Sequence, residues 1–309
     1  MGFLAGRGAS MAQPSQNSMP NLKTLFPPAL KNLYWSSEAQ WRAYTGRWRL
    51  LPNFIIIGGQ RCGTTTLYNY LIRHPQVRIA SLVKEIHYFD LHYAKGQNWY
   101  QAHFPLKLYK HYAQWIRQTE IQTIEASPYY IFHPHTPRRL AAIAPQTKLI
   151  LLLRHPVDRA YSHYYHETRW GYEHLPTFEA AIDQEEARLA NEWAKIDSDE
   201  NYYSFAHHHY TYLARGIYLP QIQHWLKFFK REQLLILSSE EFYQQTAATF
   251  QKILTFLELS PWQPSQFKNF NQADNPNIDP QLRQRLLAHF QPHNRLLFDF
   301  LGTEFNWTG

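Results

Sequence analysis

Two glycines, Gly58 and Gly63, bracket Gly59, Gln60, Arg61 and Cys62, and three threonines, Thr64, Thr65 and Thr66, follow at once. The spacing is that of a phosphate-cradling turn, G-x-x-x-x-G-K-[ST], whose lysine reaches the terminal phosphates of a nucleotide and whose hydroxyl holds Mg²⁺. In this chain Thr64 stands where the lysine belongs, and the cation has moved back to Arg61. The rest of the physics is intact. Glycine lets the backbone come close to a ligand, and the amides that open the next helix point outward at the positive end of its dipole. Threonine hydroxyls add donors, while a guanidinium forks two N–H bonds onto an oxyanion and never loses its charge. No acidic metal holder closes a later hydrophobic strand, so the loop reads as a metal-free cradle for an anion other than ATP.

Two further groups stand out. Arg154 ends the apolar run at 148–153, with Ser162 eight residues later, and the stretch 84–90 gathers Lys84, Glu85, His87 and Asp90. Elements must bring these together. The runs at 54–57 and 148–153 lack alternation, as parallel strands buried on both faces do, and Pro156 suits the first turn of a helix. A third run, Leu234 to Leu237, reads as the last parallel strand. Arg154 then lies at the carboxyl end of a central strand, where open α/β sheets bind ligands. The expected fold is α/β, a P-loop-like central parallel sheet with helices on both faces.

The R-x-G-T-T core at 61–65 resembles the 5′-phosphosulfate loop of sulfotransferases that use 3′-phosphoadenosine 5′-phosphosulfate (PAPS). The segment from Arg154 to Ser162 resembles that family's 3′-phosphate motif. The K-E-x-H-x-F-D pattern of Lys84 to Asp90 is similar to a segment of heparan sulfate sulfotransferases and their bacterial relatives. Arg215-Gly216-Ile217-Tyr218, the Glu232 to Glu241 stretch and the residues around Phe267, Pro292 and Leu296 extend the likeness to about residues 53–301. The resemblance implies that Gly59 to Thr66 hold the 5′-phosphosulfate and that Arg154 and Ser162 hold the 3′-phosphate. It further implies that Glu85, or failing it His87, takes the acceptor's proton, a task for a carboxylate or imidazole tuned by burial and cations. Arg61 then stabilises charge on the leaving group, Lys84 and Asp90 act as orienting or electrostatic partners of the base, and these two with Arg215 serve the substrate side. The implied acceptor is a carbohydrate or another molecule bearing a hydroxyl or amine.

Some residues depart from the pattern. Glu125-Ala126-Ser127-Pro128-Tyr129 replaces an E-K-[ST]-P-x-Y segment and so lacks one cation near the transfer site, and a single cysteine cannot form the C-terminal disulfide of vertebrate Golgi members. Cys62, near a helix N-terminus where thiol pKa values fall, reads as a small packing residue.

A chain of 309 residues suits one large α/β domain, expected over 21–309 after a disordered start at 1–20. A net charge of +7 and a pI near 9.3 favour an anionic cofactor. Two other classes fit parts of this composition: a P-loop kinase or NTPase, which the missing lysine opposes, and a non-catalytic binder of nucleotide or nucleic acid. We expect no nucleic-acid partner and no transmembrane segment, with a cytoplasmic location. Trp35, Trp41 and Trp48 are expected to pack on the main domain. Residues 178–194 read as a helix, and the stretch containing His207, His208 and His209 as a mobile loop over the acceptor cleft, with metal binding not expected of the run.

Overall fold

A computed structural model describes residues 38–80, 84–268 and 275–307. Residues 42–309 form one compact unit; residues 1–41 form another, of which 38–41 are described and are helical. The expected boundary at residue 20 and Trp35 lie outside the described residues.

The larger unit is built on five parallel strands: β1 (Phe54–Gly58), β2 (Val77–Ile79), β3 (Gln122–Ala126), β4 (Lys148–Leu153) and β5 (Leu234–Ser238). Their spatial order is β2-β3-β1-β4-β5, with Phe54 of β1 beside Ile124 of β3 and Lys148 of β4. Side chains alternate across a strand, so a continuous apolar run must meet apolar layers on both sides. Ile55, Ile57, Leu149, Leu151 and Leu153 join Leu140, Ile222 and Trp225 on one face. Phe54, Ile56, Ile150 and Leu152 join Leu67, Leu71, Phe250 and Ile253 on the other.

The helices that position the site and shape the surface are α1 (Thr64–Leu71), α2 (Lys107–Arg117), α3 (Pro156–Arg169), α4 (Phe205–His209), α5 (Tyr218–Trp225), α6 (Ser239–Gln244), α7 (Thr246–Phe256) and α8 (Pro280–Leu301). Pro156 opens α3 as expected, and the Glu240 carboxylate accepts the preceding His155 N–H at 2.9 Å. The outer face of α3 is covered by Phe178, Ile182, Leu286 and Phe290.

Three expectations are corrected. The helix expected over 178–194 is broken into Phe178–Asp183, Glu185–Leu189 and a third piece starting at Glu192. Asn191 takes a left-handed φ of 66°, and the Glu185 carboxylate turns to accept the Leu213 and Ala214 amides at 2.6 and 2.9 Å. The three-histidine run is the body of α4, because Ser204 caps it by accepting the His207 N–H at 3.0 Å. Trp48 is 47% exposed and does not join the core.

Candidate active site

The loop between β1 and α1 is held from below. The Gly59 N–H donates to the Leu152 carbonyl at 2.7 Å, and the Cys62 N–H closes the turn onto the Gly59 carbonyl at 3.1 Å. Gly63 has a φ of 91°, and a Cβ there would lie 2.8 Å from the Tyr243 hydroxyl, so both the turn and its neighbour demand glycine. The amides opening α1 have no intrahelical acceptor, and no side chain caps them. Thr64 and Thr66 are buried, Thr66 beside the Tyr243 hydroxyl at 3.3 Å, while the Thr65 hydroxyl accepts from Lys84 Nζ at 2.9 Å.

Arg61 reaches away from its own loop. Its Nε donates to Ser162 Oγ at 3.1 Å, and its Nη1 lies 3.4 Å from His166 Nδ1. Arg154 donates to the Arg61 carbonyl at 3.3 Å. The residues expected to serve two ends of one ligand thus form a single cationic corner. Burial, then the charges of Arg154 and Arg169, lowers the Arg61 pKa. Among the described residues none of these three guanidiniums has a carboxylate in an ion pair, the arrangement expected of a site that takes up an anion.

Beside this corner, Glu85, His87 and Asp90 form a line. His87 Nδ1 is 2.8 Å from Asp90 Oδ2, and its Nε2 is 3.4 Å from Glu85 Oε2. Lys84 Nζ, 3.1 Å from Glu85 Oε1, joins the line to Thr65. Burial disfavours the His87 imidazolium, but Asp90 and Glu85 outweigh it and raise the pKa to about 10. For Glu85, burial works upward and is overcome by His87 and Lys84, leaving the carboxyl below its ordinary value. The trio therefore holds an ionised carboxylate, with 41% of its side chain exposed, against an imidazolium anchored on a buried aspartate.

Several assignments shift. Asp90 is buried behind His87 and anchors it, out of reach of a substrate. Cys62 presents nothing to a ligand: its amide is used by Gly59, and burial pushes its fully enclosed thiol up to about 11, opposite to the helix-terminus effect. Arg215 is no surface contact either. Its guanidinium is buried over the Tyr129 ring and donates to the Gln60 side chain and the His207 and His208 carbonyls, which ties the loop to α4. Burial lowers its pKa to about 10.

The histidines of α4 diverge: His207 meets the Tyr129 hydroxyl at 2.5 Å, His208 the Tyr203 hydroxyl at 3.1 Å and His209 the Glu167 carboxylate at 2.7 Å. The His208 ring stands 6.0 Å from that of His87 and so forms part of the site wall.

Sequence reasoning missed the role of Glu125. Buried at the end of β3, it accepts from Tyr100, from Tyr130 at 2.5 Å and from Ser127 at 3.0 Å. The Ser127 and Tyr130 hydroxyls in turn accept the His87 and Tyr88 amides at 3.3 and 2.9 Å. Burial lifts the Glu125 pKa to about 7. The E-x-S-P-Y-Y spacing carried this signal, since Ser127 and Tyr130 flank the carboxylate by two and five residues.

A parallel sheet of order 2-3-1-4-5 with an anion cradle after its central first strand defines a P-loop-like group-transfer fold. The sulfotransferase domain family matches over residues 51–275, and the chain belongs to that family. Among relatives, the membrane-associated sulfotransferase kil1 of Dictyostelium discoideum is 28% identical, over 85% of this chain and 68% of that protein. Human heparan sulfate glucosamine 3-O-sulfotransferase 3A1 is also 28% identical, over 84% of this chain and 63% of that protein, so the chain spans just under two thirds of the human protein's length. The crystal structure of a sulfotransferase from Alicyclobacillus acidocaldarius superposes with a TM-score of 0.62 at 28% identity, over 84% of this chain and 99% of that one.

Proposed function

We propose that this sulfotransferase takes its sulfuryl group from PAPS and delivers it to a carbohydrate hydroxyl or amine. One observation carries the reading: Arg154 reaches the Arg61 carbonyl and Arg61 reaches Ser162, neither guanidinium having a carboxylate in an ion pair among the described residues, and Lys84 links the opening of α1 to an ionised carboxylate. PAPS would be held by Arg61, Arg154, Ser162 and the amides and hydroxyls opening α1, and when bound it supplies the electrophilic sulfur and a bisphosphate leaving group. The chain's own residues do the rest. Glu85 takes the acceptor's proton at its exposed carboxylate. His87 stays protonated and fixes that carboxylate through its Nε2, while Asp90 holds the ring by Nδ1. Lys84 keeps the base and the anion loop at a set spacing. The names of the 3-O-sulfotransferase relatives support a glycan acceptor, and the cytoplasm is the proposed place of work.

Calorimetry with 3′-phosphoadenosine 5′-phosphate in EDTA, with ATP as control, tests the donor site. Tight binding of the bisphosphate and none of ATP is the expected result, and the reverse preference would return the chain to the nucleotide kinases. Transfer of ³⁵S from labelled PAPS to saccharides tests the reaction. A folded Glu85→Gln variant should lose about 10²-fold or more in kcat, and near-normal turnover would reassign the base.

A further inference from the structure

Helix α2, with the sequence Lys-Leu-Tyr-Lys-His-Tyr-Ala-Gln-Trp-Ile-Arg, carries no acidic residue. It touches the body of the protein through Ala113, which is buried, and through Tyr109, whose hydroxyl accepts from Arg78 Nε at 3.1 Å. Leu108, Tyr112, Trp115 and Ile116 follow at i, i+4, i+7 and i+8 and so form one stripe on a helix. All four are exposed, Leu108 at 74% and Trp115 at 80%. Leu106 and Trp48 extend the stripe, because the backbones at Arg49 and Leu106 pair there. A groove of about 620 Å³ runs along it, lined by Leu106, Leu108, Tyr109, His111, Tyr112 and Trp115.

The border of this face is basic. The Arg47 guanidinium lies 4.7 Å from the Trp48 ring centroid, and Lys107 Nζ donates to the Arg47 carbonyl at 3.0 Å. Lys110 stands further round the helix, paired with Glu120 at 3.2 Å. An apolar stripe rich in tryptophan and tyrosine, edged by cations, is what lies in the plane of a lipid interface: the rings settle at headgroup level and the cations meet anionic lipid. A patch of this kind is not left in water without a use.

We propose that α2, with the Arg47–Trp48 corner, is a peripheral docking surface for an anionic lipid bilayer. It holds the enzyme on the membrane by its outer face. The charge of the border decides against an apolar partner alone. Neither the sulfuryl donor nor the acceptor has to be the one proposed above for this surface to bind lipid.

The test is co-sedimentation of the full chain with vesicles of phosphatidylcholine, with and without phosphatidylserine. The wild type should pellet with the mixed vesicles, less with the neutral ones, and should be released as salt rises. Leu108→Glu/Trp115→Glu should weaken binding to mixed vesicles about tenfold or more. Lys107→Glu should weaken binding to the mixed vesicles only, and Leu296→Glu, an exposed control elsewhere on the surface, should change nothing. Matching thermal melts keep the comparison free of unfolding. Wild type that stays in the supernatant with both vesicles, or a double variant that pellets as well as wild type, overturns the proposal. It also falls if vesicles are ignored and light scattering shows a dimer that Trp115→Glu dissolves, for then the face belongs to a second copy of the chain.

Discussion

At the scale of single residues, charge sets the working range. Glu85 must be ionised to accept a proton, and its carboxyl sits below the ordinary value, so activity should fall only as pH drops through the low end of the carboxylate range. His87 is raised, so its pairing is fully present below its ordinary pKa of 6.5 and is lost as pH climbs through about 10. A profile of kcat against pH should therefore have its upper limb near 10; an upper limb near 6.5 would show His87 titrating as a free imidazole. The residue types at Arg61, Glu85, His87, Arg154 and Ser162 were legible because each sits in a dense local pattern. Their grouping was not. That Arg61 bonds Ser162, 101 positions away, depends on the side chain's path over the sheet, which no spacing encodes. Whether Arg215 and Asp90 meet a ligand or hold a scaffold was not legible for a related reason, since burial decides it, and burial is a tertiary property.

At the scale of elements, the β1–α1 and β4–α3 units were readable from unbroken apolar runs punctuated by glycine or proline. Strand β2 was not, being three residues long with an intermediate Arg78 and an exposed Ile79 at the sheet edge. The segment 178–209 was misjudged because its breaks are made by Asn191 and by the reach of Glu185 to a distant turn, not by local propensity. Glu125 shows what an element contributes to chemistry. By gathering Tyr130 and Ser127 it fixes the backbone that carries His87, itself at a left-handed φ of 51°. Glu125→Gln places an amide donor where hydroxyls donate and should destabilise the fold by about 1–3 kcal/mol. It should also lower kcat while affinity for 3′-phosphoadenosine 5′-phosphate stays the same. Calorimetry and turnover on one preparation check this, and a parallel loss of both would mean that the β3 end supports the anion loop as well.

At the scale of the whole molecule, part of the basic surplus of +7 lies at Arg61 and Arg154, which have no carboxylate in an ion pair among the described residues. A ligand that binds only the folded chain at a hundred times its Kd adds about 2.7 kcal/mol of stability. For a chain of this size that is a rise of about 4 °C in Tm. A thermal shift with 3′-phosphoadenosine 5′-phosphate should show it, and Arg154→Ala should reduce it; an unshifted wild type would remove the corner from the binding site. The contact between Arg61 and His166 has a further result. Burial, then the nearby guanidinium, suppresses the pKa of that imidazole. An anion at that corner would offset the guanidinium's share while burial, the larger cause, stays. Binding of 3′-phosphoadenosine 5′-phosphate is therefore expected to carry a proton onto the imidazole, read as heats that vary with the ionisation enthalpy of the buffer; heats that do not vary would leave His166 uncoupled from the site.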